Sequence, residues 1–127
     1  MSTQELAEPI ADTKEQQVEG WIREAVAARQ DYEDASVRFA KYVTEEAELE
    51  ALRPVIKHAV TIRLMDEQKL AATPADKVAS TDAEYLEHLE AQRDVVAKKN
   101  DACTKMQSAR LRAELALAAI RSLAGLI

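Results

Sequence analysis

A chain of 127 residues is long enough for one domain, and its composition excludes most kinds of domain. Only 4% of residues are aromatic and there are two Gly and three Pro, while Ala, Leu, Glu, Lys, Arg and Gln dominate; this is long-helix composition and excludes a sheet. The net charge of −6 counts against non-specific nucleic-acid binding by the whole surface, and a single cysteine, Cys103, excludes an intrachain disulfide.

Residues 1–12 are polar and interrupted by Pro9, and read as a flexible N-terminal arm. No stretch of about 18 apolar residues exists to span a membrane. The N-terminus lacks the basic and apolar regions of a signal peptide, so a cytoplasmic protein is expected, of a cell or of a virus growing inside one.

Thr13, with Gln16 three positions on, has the spacing of a capping box. It opens a helix predicted over about 14–69. One row of that helix carries Val18, Ala25, Tyr32 and Phe39; the other carries Trp21, Ala28, Ala35, Tyr42, Leu49 and Ile56. A period of seven requires a partner helix. Pro54 interrupts the pattern but the apolar residues continue to Leu64, which favours a kink there over two separate helices. Thr73-Pro74-Ala75-Asp76 then has a cap residue and a first-turn proline, predicting a short helix over 74–79.

Thr81 and Glu84 form a second capping-box pattern before a helix predicted over 82–124, free of Gly and Pro until Gly125. Its apolar seam is read as Tyr85, Leu89, Val96, Cys103, Met106, Ala113, Leu117, Ile120 and Ala124. The fold expected is all-α: an elongated antiparallel helical hairpin, residues 13–127 forming one domain. Long helices of small residues bury little as a monomer, so assembly into a dimeric or tetrameric bundle is expected.

Charge supports the hairpin. Residues 1–51 carry a net of −8, residues 52–81 a net of +2, and residues 82–127 are balanced. A turn near residue 75 makes facing residues sum to about 150, from equal helical rise. Glu45, Glu46, Glu48 and Glu50 then lie level with Lys99 and Lys105, and the acidic stretch 24–34 lies level with Arg112 and Arg121. Such exposed pairs set register more than stability, at about 0–1 kcal/mol each.

Chemistry-bearing constellations are few. His58 and His88 are the only histidines, and the Glu-x-x-His repeats of di-iron bundles are absent. Cys103 lies on the apolar seam with neither histidine near it. There is no phosphate loop, zinc spacing or nucleophile elbow. No catalytic residue, metal or cofactor is expected. Trp21 and Tyr32 are read first as core, on a face shared with Phe39 and Tyr42, and then as a partner-binding strip together with the glutamates at 45, 46, 48 and 50. Lys98, Lys99, Lys105, Arg110 and Arg112 are candidate phosphate contacts, although no aromatic residue alternates with them to stack on bases.

Ala72-Thr-Pro-Ala-Asp-Lys77, Tyr85-Leu86 with Leu89, and Arg110-Leu111-Arg112 resemble segments of small helical proteins encoded by bacteriophages and prophages. The resemblance spans Leu70 to Arg121. It implies an accessory or host-takeover protein. The function expected is a non-enzymatic interaction protein that binds a host or viral protein through an exposed helix face and inhibits it. The alternative reading is a nucleic-acid-binding recombination accessory protein that uses the Lys98–Arg121 face.

Overall fold

The computed structural model describes residues 13–125, so the arm expected over 1–12 lies outside the described residues. Within them are three helices and no strand: α1 (Lys14–Glu67), α2 (Ala72–Ala79) and α3 (Ala83–Ala124). The protein is an all-α hairpin in which two long helices pack against one another with a short one between.

The helix ends follow local chemistry. The Thr13 N–H donates to Gln16 Oε1 at 2.8 Å, and the Gln16 N–H donates to Thr13 Oγ1 at 3.1 Å. This reciprocal box satisfies donors that the first turn cannot pair internally. α1 runs through Pro54, which is exposed, as is Glu50, whose carbonyl the proline leaves without its helical donor. α1 ends where the Gln68 N–H donates to the Leu64 carbonyl at 3.0 Å and Lys69 turns left-handed at φ 55°. α3 ends at Gly125, whose φ of 73° is the left-handed stop that favours glycine.

Two expected caps are corrected. α2 begins at Ala72, so Thr73 lies inside it, and Ala71 caps it without a side-chain hydrogen bond. Pro74 is tolerated because the N–H groups of a first turn have no intrahelical acceptor. Thr81 does not cap α3. Turn bonds from the Thr81 and Asp82 N–H groups to the Val78 and Ala79 carbonyls hold the chain in α2's last turn. Thr81 Oγ1 donates to the Val78 carbonyl at 2.9 Å, while Asp82 Oδ1 accepts from the Glu84 N–H at 3.0 Å. Asp82 is therefore the cap, with its charge at the positive end of the helix dipole.

The chain divides into two compact units. In one, residues 14–36 of α1 meet residues 103–124 of α3. Its fully buried side chains are all alanine: Ala28 and Ala35 on α1, Ala109 and Ala116 on α3. Each pair is seven apart, the spacing of one face of paired helices, and side chains this small permit close approach of the two backbones. In the other unit, residues 37–102, the end of α1 has a third helix against it. Val60 and Leu64 form a core with Ala75 and Ala79 of α2, and Ile56 and Leu70 pack on it.

The α3 seam also needs correcting. The buried row is His88, Val95, Ala102, Ala109 and Ala116. Most of the larger residues expected there, such as Tyr85, Leu89, Met106 and Ile120, are half-buried beside it, and Leu117 and Ala124 are exposed. From Ala102 onward the row is alanine because small side chains let the helices approach most closely there, with bulkier ones flanking it, whereas His88 and Val95 take the row nearer the start of α3.

Candidate functional site

Closing a helix pair on an alanine line leaves its larger apolar side chains at the edges. In the unit of residues 14–36 and 103–124 they line an open groove of about 640 Å³. Ile22, Ala25, Val26, Arg29 and Tyr32 come from α1, and Arg110, Ala113, Leu117 and Ile120 from α3. They recur three and four residues apart, as one helical face requires. Ile22, Val26, Tyr32 and Leu117 are 46%, 63%, 39% and 48% exposed, so the groove is apolar and uncovered.

The other side of the alanine line differs. The Arg112 guanidinium bridges the pair, with Nε 2.9 Å from Glu24 Oε1 and Nη1 2.6 Å from Asp31 Oδ2. Glu24 and Asp31 are seven apart, so one cation joins two successive heptads of α1. Hydrogen bonds to Asp31 and Glu24 raise the Arg112 pKa further above its ordinary value. A cleft of about 730 Å³ lies on this side, lined by Gly20, Trp21, Glu24, Arg112, Leu115 and Ala119. Trp21 and Tyr32, expected on one strip, thus line separate clefts.

In the unit of residues 37–102, Lys99 Nζ is bonded to Glu46 Oε2. The equal-rise register places Lys99 opposite residue 51, so the pairing is offset by a little over one turn. The offset arises because α2, not α3, covers the last turns of α1, and α3 starts level with Arg63. There Arg63 Nη2 lies 2.8 Å from Asp82 Oδ2, and this bond raises the Arg63 pKa. His88 is buried, with Nε2 2.7 Å from the Leu49 carbonyl, so that nitrogen donates. His58 is exposed. Among the described residues no group of three or more His, Cys, Asp or Glu side chains is placed to hold a metal.

The remaining candidates are dispersed. Lys41 pairs with Glu45 at 3.9 Å, and Glu48 and Glu50 are exposed. Of the expected phosphate contacts, Lys99 and Arg112 are engaged with α1 carboxylates and Arg110 with Glu114 at 3.1 Å. Lys98 is exposed, and Lys105 has a partner within the chain. Half-buried Cys103 accepts from Gln107 Nε2 at 3.8 Å.

Sequence reasoning missed Ile22 and Val26, which lie outside both heptad rows. The signal was present. Together with Ala25 and Ala28 they widen the apolar arc beyond the two-in-seven stripe of a simple pair, toward the three-in-seven face of a bundle helix. Among the described residues no helix is long and apolar enough to cross a membrane. The chain matches no family model, no curated protein and no solved structure.

Proposed function

We propose that this protein is a non-enzymatic protein-binding module whose working surface is the apolar groove lined by Ile22, Val26, Tyr32, Leu117 and Ile120. The observation that carries this reading is an uncovered apolar groove on one side of a helix pair, while the cleft on the other side, though it holds exposed Trp21 and Leu115, is spanned by Arg112 with Glu24 and Asp31. Exposed contiguous apolar surface marks interaction sites. A groove between two helices suits an amphipathic helix anchored at i, i+3, i+4 and i+7. Tyr32 would supply a rigid anchor with a polar tip at the groove wall. In a phage or mobile-element setting, filling the groove with a helix of a host or viral protein would make this an accessory or inhibitory protein. Engagement of Lys99, Arg110 and Arg112 by carboxylates supports this reading over the nucleic-acid one.

The test is photo-crosslinking in cells that produce the protein natively. A photoreactive residue at Val26 should yield protein adducts that Leu117→Glu abolishes, while one at exposed Val55 should not. Equal yields at the two positions would remove the groove as the working surface.

A further inference from the structure

We infer that a cleft in the unit of residues 37–102, between Arg53 of α1 and the 89–100 face of α3, binds a small organic phosphate. The phosphate lies between the Arg53 and Arg93 guanidiniums and the carbon body lies on Leu89 and Val96. This goes beyond the protein-binding reading above and does not depend on it.

The first support is a pair of uncommitted guanidiniums. Arg29, Lys41, Arg63 and Arg110 each pair with a carboxylate four residues on. Arg53 and Arg93 are followed at that spacing by Lys57 and Ala97 instead. Glu50 and Glu90 stand three residues before them, yet among the described residues neither guanidinium has an ion pair or a hydrogen-bond partner. Two exposed positive charges thus line one cleft.

The second is the lining. The cleft holds about 440 Å³, within the roughly 300–1,000 Å³ of small-molecule sites. Leu89, Val96 and Ala97 give it an apolar floor. Half-buried Gln92 also lines it and has no side-chain hydrogen bond among the described residues. No fully buried side-chain nitrogen or oxygen among those residues is left unpaired, so the Gln92 amide opens onto the cleft, where it can donate to a ligand oxygen.

The third is preorganisation. Residues 89–97 of the α3 wall lie between two bonds to α1, from His88 Nε2 to the Leu49 carbonyl and from Lys99 Nζ to Glu46 Oε2. Both walls are therefore held in place before a ligand arrives.

Charge selects the ligand. The guanidinium fork matches phosphate oxygens. A phosphate monoester carries about −1.5 to −2 at pH 7, which two guanidiniums match and a single carboxylate does not. The net charge of −6 opposes a polyanion, which favours a small phosphate over nucleic acid.

Phenyl phosphate is the probe, titrated to about 10 mM into isotope-labelled protein followed by NMR, a span suited to millimolar sites. Shifts of the Arg53, Arg93 and Gln92 side-chain N–H signals should saturate with a dissociation constant of about 1 mM or below. Arg53→Gln and Arg93→Gln should each raise it about tenfold with helical circular dichroism retained. Arg38→Gln, at an exposed position outside the cleft, should leave it unchanged. Inorganic phosphate, with no carbon body, should bind about tenfold more weakly, and phenol, with no charge, should not saturate. No saturating shift with phenyl phosphate overturns the inference. So does equal weakening by Arg38→Gln and Arg93→Gln, which would mean a diffuse ion atmosphere. Inorganic phosphate or phenol binding as tightly as phenyl phosphate overturns it as well, because one half of the site would then be idle.

Discussion

The two units solve one problem differently. In residues 37–102 a third helix lies against the end of α1, and Val60 and Leu64 are 1% and 2% exposed. In residues 14–36 and 103–124 two helices meet on alanine alone, and every large aliphatic side chain is left half-buried or exposed. The physical reason is geometric. Two cylinders touch along one line, and only small side chains fit that line; larger ones need a third or fourth cylinder to cover them. The unit with α2 makes a core of its own, and the unit without it makes a surface.

The comparison breaks most readily at its aliphatic core. Leu64→Ala should cost about 2–5 kcal/mol in urea unfolding. Leu117→Ala should cost less than about 1 kcal/mol because the side chain is half in water already. Equal losses would mean that the two units do not differ in this way. Ala109→Leu forces methylenes into the alanine line and should cost about 1–3 kcal/mol. If Ala109→Leu is neutral, the helices are not in close contact there.

Smaller effects sharpen the picture. Apart from the neighbouring backbone of its own helix, nothing lies within 4 Å of where a Cβ on Gly20 would stand, so Gly20→Ala should stabilise α1 by about 0.8–1 kcal/mol. Lys69 holds a left-handed backbone, and Lys69→Gly should gain about 1 kcal/mol, seen as a higher unfolding midpoint. Least of all should come from protons on Arg63 and Arg112. Both pKa values are raised in the folded state. The stability they contribute is therefore complete below the ordinary guanidinium value and lost only as pH rises through the folded one. Replacing either by Met should leave the slope of stability against pH unchanged between pH 6 and 10.

Much of the architecture was legible in the residues. The Thr13–Gln16 box, the period of seven in α1, the turn helix and the Gly125 stop are local signals, decided within a few residues of backbone. The complementary charge of the two arms was legible too, and Glu46–Lys99 and Arg112 with Glu24 and Asp31 are its outcome. The candidate site was harder to see. Its α3 wall was read as seam, and Ile22 and Val26 fell outside the rows, because hydrophobicity alone does not say which of two neighbouring rows meets the partner helix.

By itself, the sequence determined that this chain is helical, where its helices stop, and that its two arms attract one another. Those are matters of propensity, capping and net charge, each acting over short range or without regard to rotation about the helix axis. Tertiary structure decided which row of each helix is buried, that Asp82 and not Thr81 caps α3, and that the Arg112 bridge falls on one side of a helix pair and the Ile22–Leu117 groove on the other. These depend on how closely two backbones approach, and that distance is set by the smallest side chains between them, not by the most hydrophobic.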